Sequence, residues 1–148
     1  MAIVRILALD LGQRRIGLAV SDALGLTAQG LDTLVRRNQQ ADLDALVHVI
    51  RTHEVGRCLL GLPRRLNGEE GPQAEHARAF GSQLARRTGL PVAYWDERLT
   101  TVEAERVLRE GGLHTRQQRR PVVDRLAAVI LLQSFLEAGA PAIPGGFV

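Results

Sequence analysis

The hydrophobic positions of this chain follow two periods. Residues 3–11 and 16–20 are apolar, β-branched-rich runs separated by Gly12-Gln13-Arg14-Arg15, which predicts strand, short turn, strand. The first run is apolar almost throughout, as expected of a central strand covered on both faces. A turn around Gly25 leads to a weaker third strand over 27–35. Leu43, Leu46, Val47 and Ile50 then recur at helical spacing and predict an amphipathic helix over 39–53. Residues 56–62 read as a buried strand ended by Pro63. Pro72 suits the first turn of a helix with Ala77, Phe80, Leu84 and Thr88 on one face. A short strand follows over 90–95, and Thr100 with Glu103 three residues on is a capping box that opens the next helix. Residues 111–121 are glycine-started, polar and basic, and read as a mobile loop. The last helix spans 122–138, with Val123, Ala127, Ile130, Leu131 and Phe135 as its apolar stripe.

The order is therefore β-β-β-α-β-α-β-α-α. Hairpins first and helical crossovers later imply an α/β fold with a five-stranded mixed sheet flanked by helices. Each strand–helix–strand crossover should be right-handed. At 148 residues the chain is expected to form one domain, over 1–138, with a Pro/Gly-rich flexible tail over 139–148. There is no internal repeat. The first apolar run is broken by Arg5 and Asp10, so it is no secretory signal, and no run approaches the length of a membrane span. A cytoplasmic protein that does not engage membranes is expected.

Composition changes this picture in three places. The net charge is only +3, yet all 19 of the Lys and Arg residues are arginine. Arginine binds phosphate through a planar fork, so its clustering matters more than its number. Aromatic residues make up 3% of the chain, too few for a module that stacks bases on aromatic rings. The lone Cys58 excludes an intramolecular disulfide and a cysteine-based zinc cage, and its apolar neighbours predict a buried, inert thiol.

The candidate chemistry lies at strand ends. Asp10 closes the first strand, where open α/β sheets gather their sites. A carboxylate there needs a partner, either a cation or the backbone N–H groups of a turn. Asp96 and Glu97 close the last strand, and Asp124 opens the final helix. If the first and last strands run parallel, these carboxylates meet at one edge, where a hard cation such as Mg²⁺ or Mn²⁺ would relieve their repulsion. Two such ions could activate water and stabilise the leaving oxygen of a phosphodiester. Asp124 taken alone reads better as a charge favouring a helix N-terminus, worth about 0.3–1 kcal/mol. Asp96 or Glu97 could pair with Arg98 or Arg125. Side chains alternate along a strand, so Asp96 and Glu97 do not both face the site, and the residues by themselves do not choose between them. Arg14-Arg15, Arg64-Arg65 and Arg116 with Arg119-Arg120 fall in predicted loops and could hold a polynucleotide backbone without reading bases.

Four blocks, in order along nearly the whole chain, carry a family resemblance. They are residues 9–22 around Leu9-Asp10-Leu11-Gly12; Gly61-Leu62-Pro63 with Asn67-Gly68; Asp96-Glu97-Arg98-Leu99-Thr100-Thr101; and Asp124 with Ala127-Ala128 and Ile130-Leu131-Leu132-Gln133. Together they resemble the bacterial YqgF family, also called RuvX, which has an RNase H-like fold. The resemblance implies a metal-dependent nuclease using Mg²⁺ or Mn²⁺, with Asp10, Glu97 and Asp124 as both catalytic residues and metal ligands. Glu97 is preferred to Asp96 on the same ground. Nucleic acid is the expected partner, with Arg14, Arg15, Arg64, Arg65, Arg98, Arg116, Arg119 and Arg120 as contacts. RNA, through 5′-end maturation of pre-16S rRNA, is favoured over branched DNA, the substrate of a Holliday junction resolvase. The expected state is a monomer or weak homodimer. One departure stands out: Glu69 occupies a position after the Asn-Gly turn where relatives often carry a small hydroxyl residue, and a carboxylate there would not help to bind phosphate.

Two rivals remain in view. Actin-like ATPases and sugar kinases open with a similar Asp-x-Gly hairpin, but they close two such domains on a nucleotide and this chain is long enough for one. A non-catalytic RNA-binding assembly factor would share the fold without needing the acidic set.

Overall fold

The computed structural model describes residues 4–64, 67–96 and 116–141, with side chains from residue 124 onward in the last segment. The elements are β1 (Arg5–Leu11), β2 (Arg15–Ser21), β3 (Ala28–Val35), α1 (Gln39–Thr52), β4 (Val55–Leu62), α2 (Pro72–Thr88), β5 (Val92–Asp96) and α3 (Arg116–Glu137). The expected helix after β5 falls outside the described residues. The five strands form one mixed sheet in the order β3-β2-β1-β4-β5. Strand β2 is antiparallel to both β1 and β3, whereas β4 runs parallel to β1 and to β5. Consequently β1, β3, β4 and β5 all end on the same edge.

Alternation along the strands sorts the core into two layers. Leu7, Leu9, Ile16, Leu18, Leu60, Leu62 and Tyr94 meet Leu43, Leu46 and Ile50 of α1 and Ala77, Phe80 and Leu84 of α2. On the opposite face Ile6, Ala8, Ala19, Leu59 and Ala93 meet Ala128, Leu131, Leu132 and Phe135 of α3. Both faces of β1 are thus covered, which is why its sequence hardly alternates. Cys58 lies in the first layer, and burial pushes its thiol up to about 12. That thiol stays protonated and inert, as the sequence predicts.

Local chemistry sets the element ends. The Asn38 side chain caps α1 by accepting the Ala41 N–H at 2.9 Å. Pro72 starts α2, and Gly89 ends it in the left-handed conformation (φ 72°), donating to the Ala85 carbonyl at 2.8 Å. The buried Ser21 hydroxyl accepts the Ile6 N–H at 2.8 Å, where the β1–β4 register shifts.

The structure corrects two linked expectations. Residues 116–121, read as the end of a mobile loop, belong to α3, which begins at Arg116, so Asp124 lies eight residues inside the helix and does not open it. This stretch carries no apolar stripe, so periodicity is silent there. Residues 116–120 are arginine and glutamine, which rank near leucine in helix propensity, so they carry the helix despite Pro121, whose usual meaning is a helix start. At the other end, residues 139–141 are tied back. Ala140 N–H donates to Phe135 O at 2.9 Å, and the Arg57 guanidinium donates to the carbonyls of Ala140 (3.1 Å) and Pro141 while lying over the Phe135 ring.

Candidate active site

Asp10 lies one residue from the end of β1, half-buried, directly opposite Gly17 on β2. Its position in the alternation with Ile6 and Ala8 puts it on the α3 side of the sheet. Gly17 decides what sits beside it. A Cβ on Gly17 would come within 1.9 Å of the Asp124 carbonyl oxygen, so only glycine lets the α3 backbone approach here. Cross-strand partners are about 4.5–5.5 Å apart at Cα. Asp124 therefore stands next to Asp10, on the same face and at the edge where the parallel strands end. Arg125 donates to the exposed Asp32 on β3 at 3.1 Å, and its side chain runs over Gly30.

Strand β5 lies two strands from β1, about 10 Å across the sheet. Val92 and Tyr94 point to the α1/α2 layer, while Ala93 and Trp95 point to the α3 layer. By the same alternation Asp96, paired with Leu62 of β4, faces away from Asp10. Glu97 lies outside the described residues, as do Arg65 and Arg98. Among the described residues no three His, Cys, Asp or Glu side chains cluster as a metal would need.

The predicted phosphate contacts distribute unevenly. Arg14 is exposed in the β1–β2 turn, Arg15 is half-buried at the start of β2, and Arg64 follows β4; all three lie on the edge that Asp10 occupies. The backbones of Arg116, Arg119 and Arg120 lie at the start of α3. The Arg64 backbone forms an isolated antiparallel β-bridge with Glu70, and the Glu70 carboxylate accepts a forked pair of bonds from Arg78 at 2.8 Å each. That pairing holds the Glu70 carboxyl below its ordinary range.

Sequence reasoning missed the Arg36-Arg37 pair between β3 and α1. Arg36 donates from Nε to the buried Asp42 carboxylate at 3.1 Å and from a terminal nitrogen to the Gly12 carbonyl at 2.9 Å. Its guanidinium also lies 5.5 Å from the Phe80 ring centroid. The backbone N–H of Arg37 donates to the other Asp42 oxygen at 3.0 Å. One arginine thus binds the β1–β2 turn, α1 and α2 into one wall. A signal existed: two successive antiparallel turns return β3 to the direction of β1, so the residues after β3 must lie at the edge of Asp10.

The RuvX family, described as Holliday junction resolvase, matches residues 4–138. A protein of Koribacter versatilis, provisionally named a pre-16S rRNA nuclease, is 55% identical over 133 residues, covering 90% of this chain and 86% of that protein. One of the same name from Symbiobacterium thermophilum is 48% identical, covering 98% of this chain and 100% of that protein.

This chain belongs to the RuvX family.

Membership makes it an enzyme, a hydrolase of phosphodiester bonds. Its fold is also that of Thermus thermophilus RuvC solved with a Holliday junction substrate, with a TM-score of 0.59 over 95% of this chain and 98% of that one at 17% identity. The RuvX chain therefore has the RNase H-like fold that its sequence resemblance implied. No described helix is long and apolar enough to cross a membrane.

Proposed function

We propose that this RuvX protein cleaves RNA during 5′-end maturation of pre-16S rRNA, using Mg²⁺ or Mn²⁺ held by Asp10, Glu97 and Asp124. The observation that carries the reading is the close approach at Gly17, which seats Asp124 beside Asp10. Two hard oxygen donors on one face at a strand-end edge suit a small divalent cation. The alternation along β5 turns Asp96 away from Asp10's face, which argues against Asp96 as the third donor, and the family resemblance assigns that role to Glu97. Such a cation, when bound, activates water and stabilises a leaving oxygen. The protein's part is to fix the carboxylates on strand ends and on a helix that Gly17 lets lie close to the sheet.

The names of the curated relatives support the RNA substrate. The family's description favours a four-way DNA junction as the second reading. Symmetric cutting of a junction needs two active sites, hence a dimer. In the favoured reading the protein acts in the cytoplasm as a monomer or weak homodimer. Residues 1–138 form the nuclease domain, and 139–148 its tail. The nearby arginines, from Arg14-Arg15 to Arg64-Arg65, Arg98, Arg116 and Arg119-Arg120, steady the backbone.

The test compares wild type with Asp10→Asn on a pre-16S-like 5′ leader, single-stranded RNA and a four-way DNA junction, with Mg²⁺ or Mn²⁺. The expected result is RNA cleavage that falls by more than the 10–100-fold typical of residues behind metal ligands. The metal-free Asp10→Asn protein should melt no lower than wild type, because one crowded charge is gone. Paired symmetric nicks in the junction would establish the second reading. No metal-dependent cutting of any substrate would sink both.

A further inference from the structure

Around the end of β1 from Asp10, the same edge opens into a cavity of about 900 Å³ on the α1/α2 side. Its walls are the β1–β2 turn, the β3–α1 junction and the first half of α2, from which Arg14, Arg37, Asn38, Gln73 and His76 reach the surface. Arg36 and Asp42 neutralise each other and brace these walls. The exposed Arg14 and Arg37 are left to set the charge at the rim, with Asp10 at the inner end.

Three properties narrow the occupant. Two arginines among neutral amides suit phosphate oxygens. Of the two aromatic rings in the lining, Phe80 is only 4% exposed and lies under the Arg36 guanidinium, which leaves the single exposed imidazole of His76 for stacking, a contact every base can make. Contacts would then go to the backbone rather than to base identity. The volume equals a cube about 10 Å on edge, too small for a duplex whose major groove alone is about 12 Å wide.

We propose that this cleft holds, by its phosphates, the unpaired nucleic acid that flanks the scissile bond, so that cutting at Asp10 requires a single-stranded flank. The proposal rests on the nuclease reading of the Asp10 edge and adds a strand path on the opposite side of the sheet from α3, one that uses Arg37.

The experiment measures binding of a short labelled single-stranded RNA to the full chain without metal, so that nothing is cut. The comparison is with the Arg14→Ala/Arg37→Ala double variant. The double variant should bind at least about tenfold more weakly, and its log K against log salt slope should shrink by about 1.4, two phosphates at ~0.7 each. A blunt duplex of the same sequence should lose less than twofold, and Arg51→Ala, at the far end of α1, should change neither. Unchanged single-strand binding, an equal loss on the duplex, or displacement by a mononucleotide as effective as by the strand would each overturn the cleft assignment. Cleavage of the same RNA by wild type with Mn²⁺ reads the other assignment separately. Cutting without arginine-dependent binding sinks the cleft alone, whereas arginine-dependent binding without cutting sinks the nuclease reading and leaves a strand-binding cleft.

Discussion

The two faces of the sheet are built on opposite plans. Against α1 and α2 the strands present leucine, isoleucine and valine, and the layers stand apart by the width of large side chains. Against α3 they present Ala8, Ala19 and Ala93 beside Ile6 and Leu59, with Gly17 and Gly30 where the helix comes nearest. Apolar area is greatest on the first face, and with it the hydrophobic stabilisation. The second gives up area for proximity, and the proximity sets the distance between Asp10 and the helix carrying Asp124. A thick layer tolerates small relaxations, but a helix resting on a glycine does not. The lesson is that one sheet can separate the part that holds it together from the part that positions chemistry.

That contrast can be broken by substitution on each face. Leu60→Ala, in the thick layer, should cost about 2–5 kcal/mol in chemical denaturation. Its cleavage rate per folded molecule should stay within a few-fold of wild type. Gly17→Ala should cost less stability, about 1–3 kcal/mol, because it overpacks rather than empties its site. It should lose about 10²-fold in cleavage rate at a temperature where both proteins are folded, since a 1 Å displacement of a reacting group has that scale. If Leu60→Ala lost more activity than Gly17→Ala, the division of labour between the faces would be wrong.

The smallest effect lies at the loop after β4. Because Arg78 depresses the Glu70 carboxyl, the pair adds stability above the ordinary glutamate value near 4.3, and this is lost as pH falls through the lower folded value. The pair is partly exposed, so Glu70→Gln should cost about 0.2–1 kcal/mol near neutral pH. The gap to wild type should close in strongly acidic buffer, and a gap that widened there would reverse the sign argued here.

Much of the fold was legible because its elements announce themselves locally. The apolar run of β1, the helical spacing of Leu43, Leu46 and Ile50, and the Pro72 start each report one element's own periodicity or backbone restriction. The connections led to a mixed sheet, and a shared edge for Asp10 was conditional on β1 and β5 running parallel, which the pairings through β4 show. The start of α3 was not legible, since residues 116–120 are helix formers with no apolar stripe and Pro121 locally signals a helix start.

The sequence alone thus determined where most strands and helices lie, that they form one mixed sheet, and that Asp10 and Asp96 sit at strand ends. Those properties depend on neighbours a few positions away. Only the tertiary structure decided that Gly17 is the seat of Asp124, that Asp96 turns from Asp10, and that Arg36 ties three elements into the wall of a cleft. Each joins residues far apart in the chain, and no local pattern encodes a contact whose partner is chosen by how the layers pack.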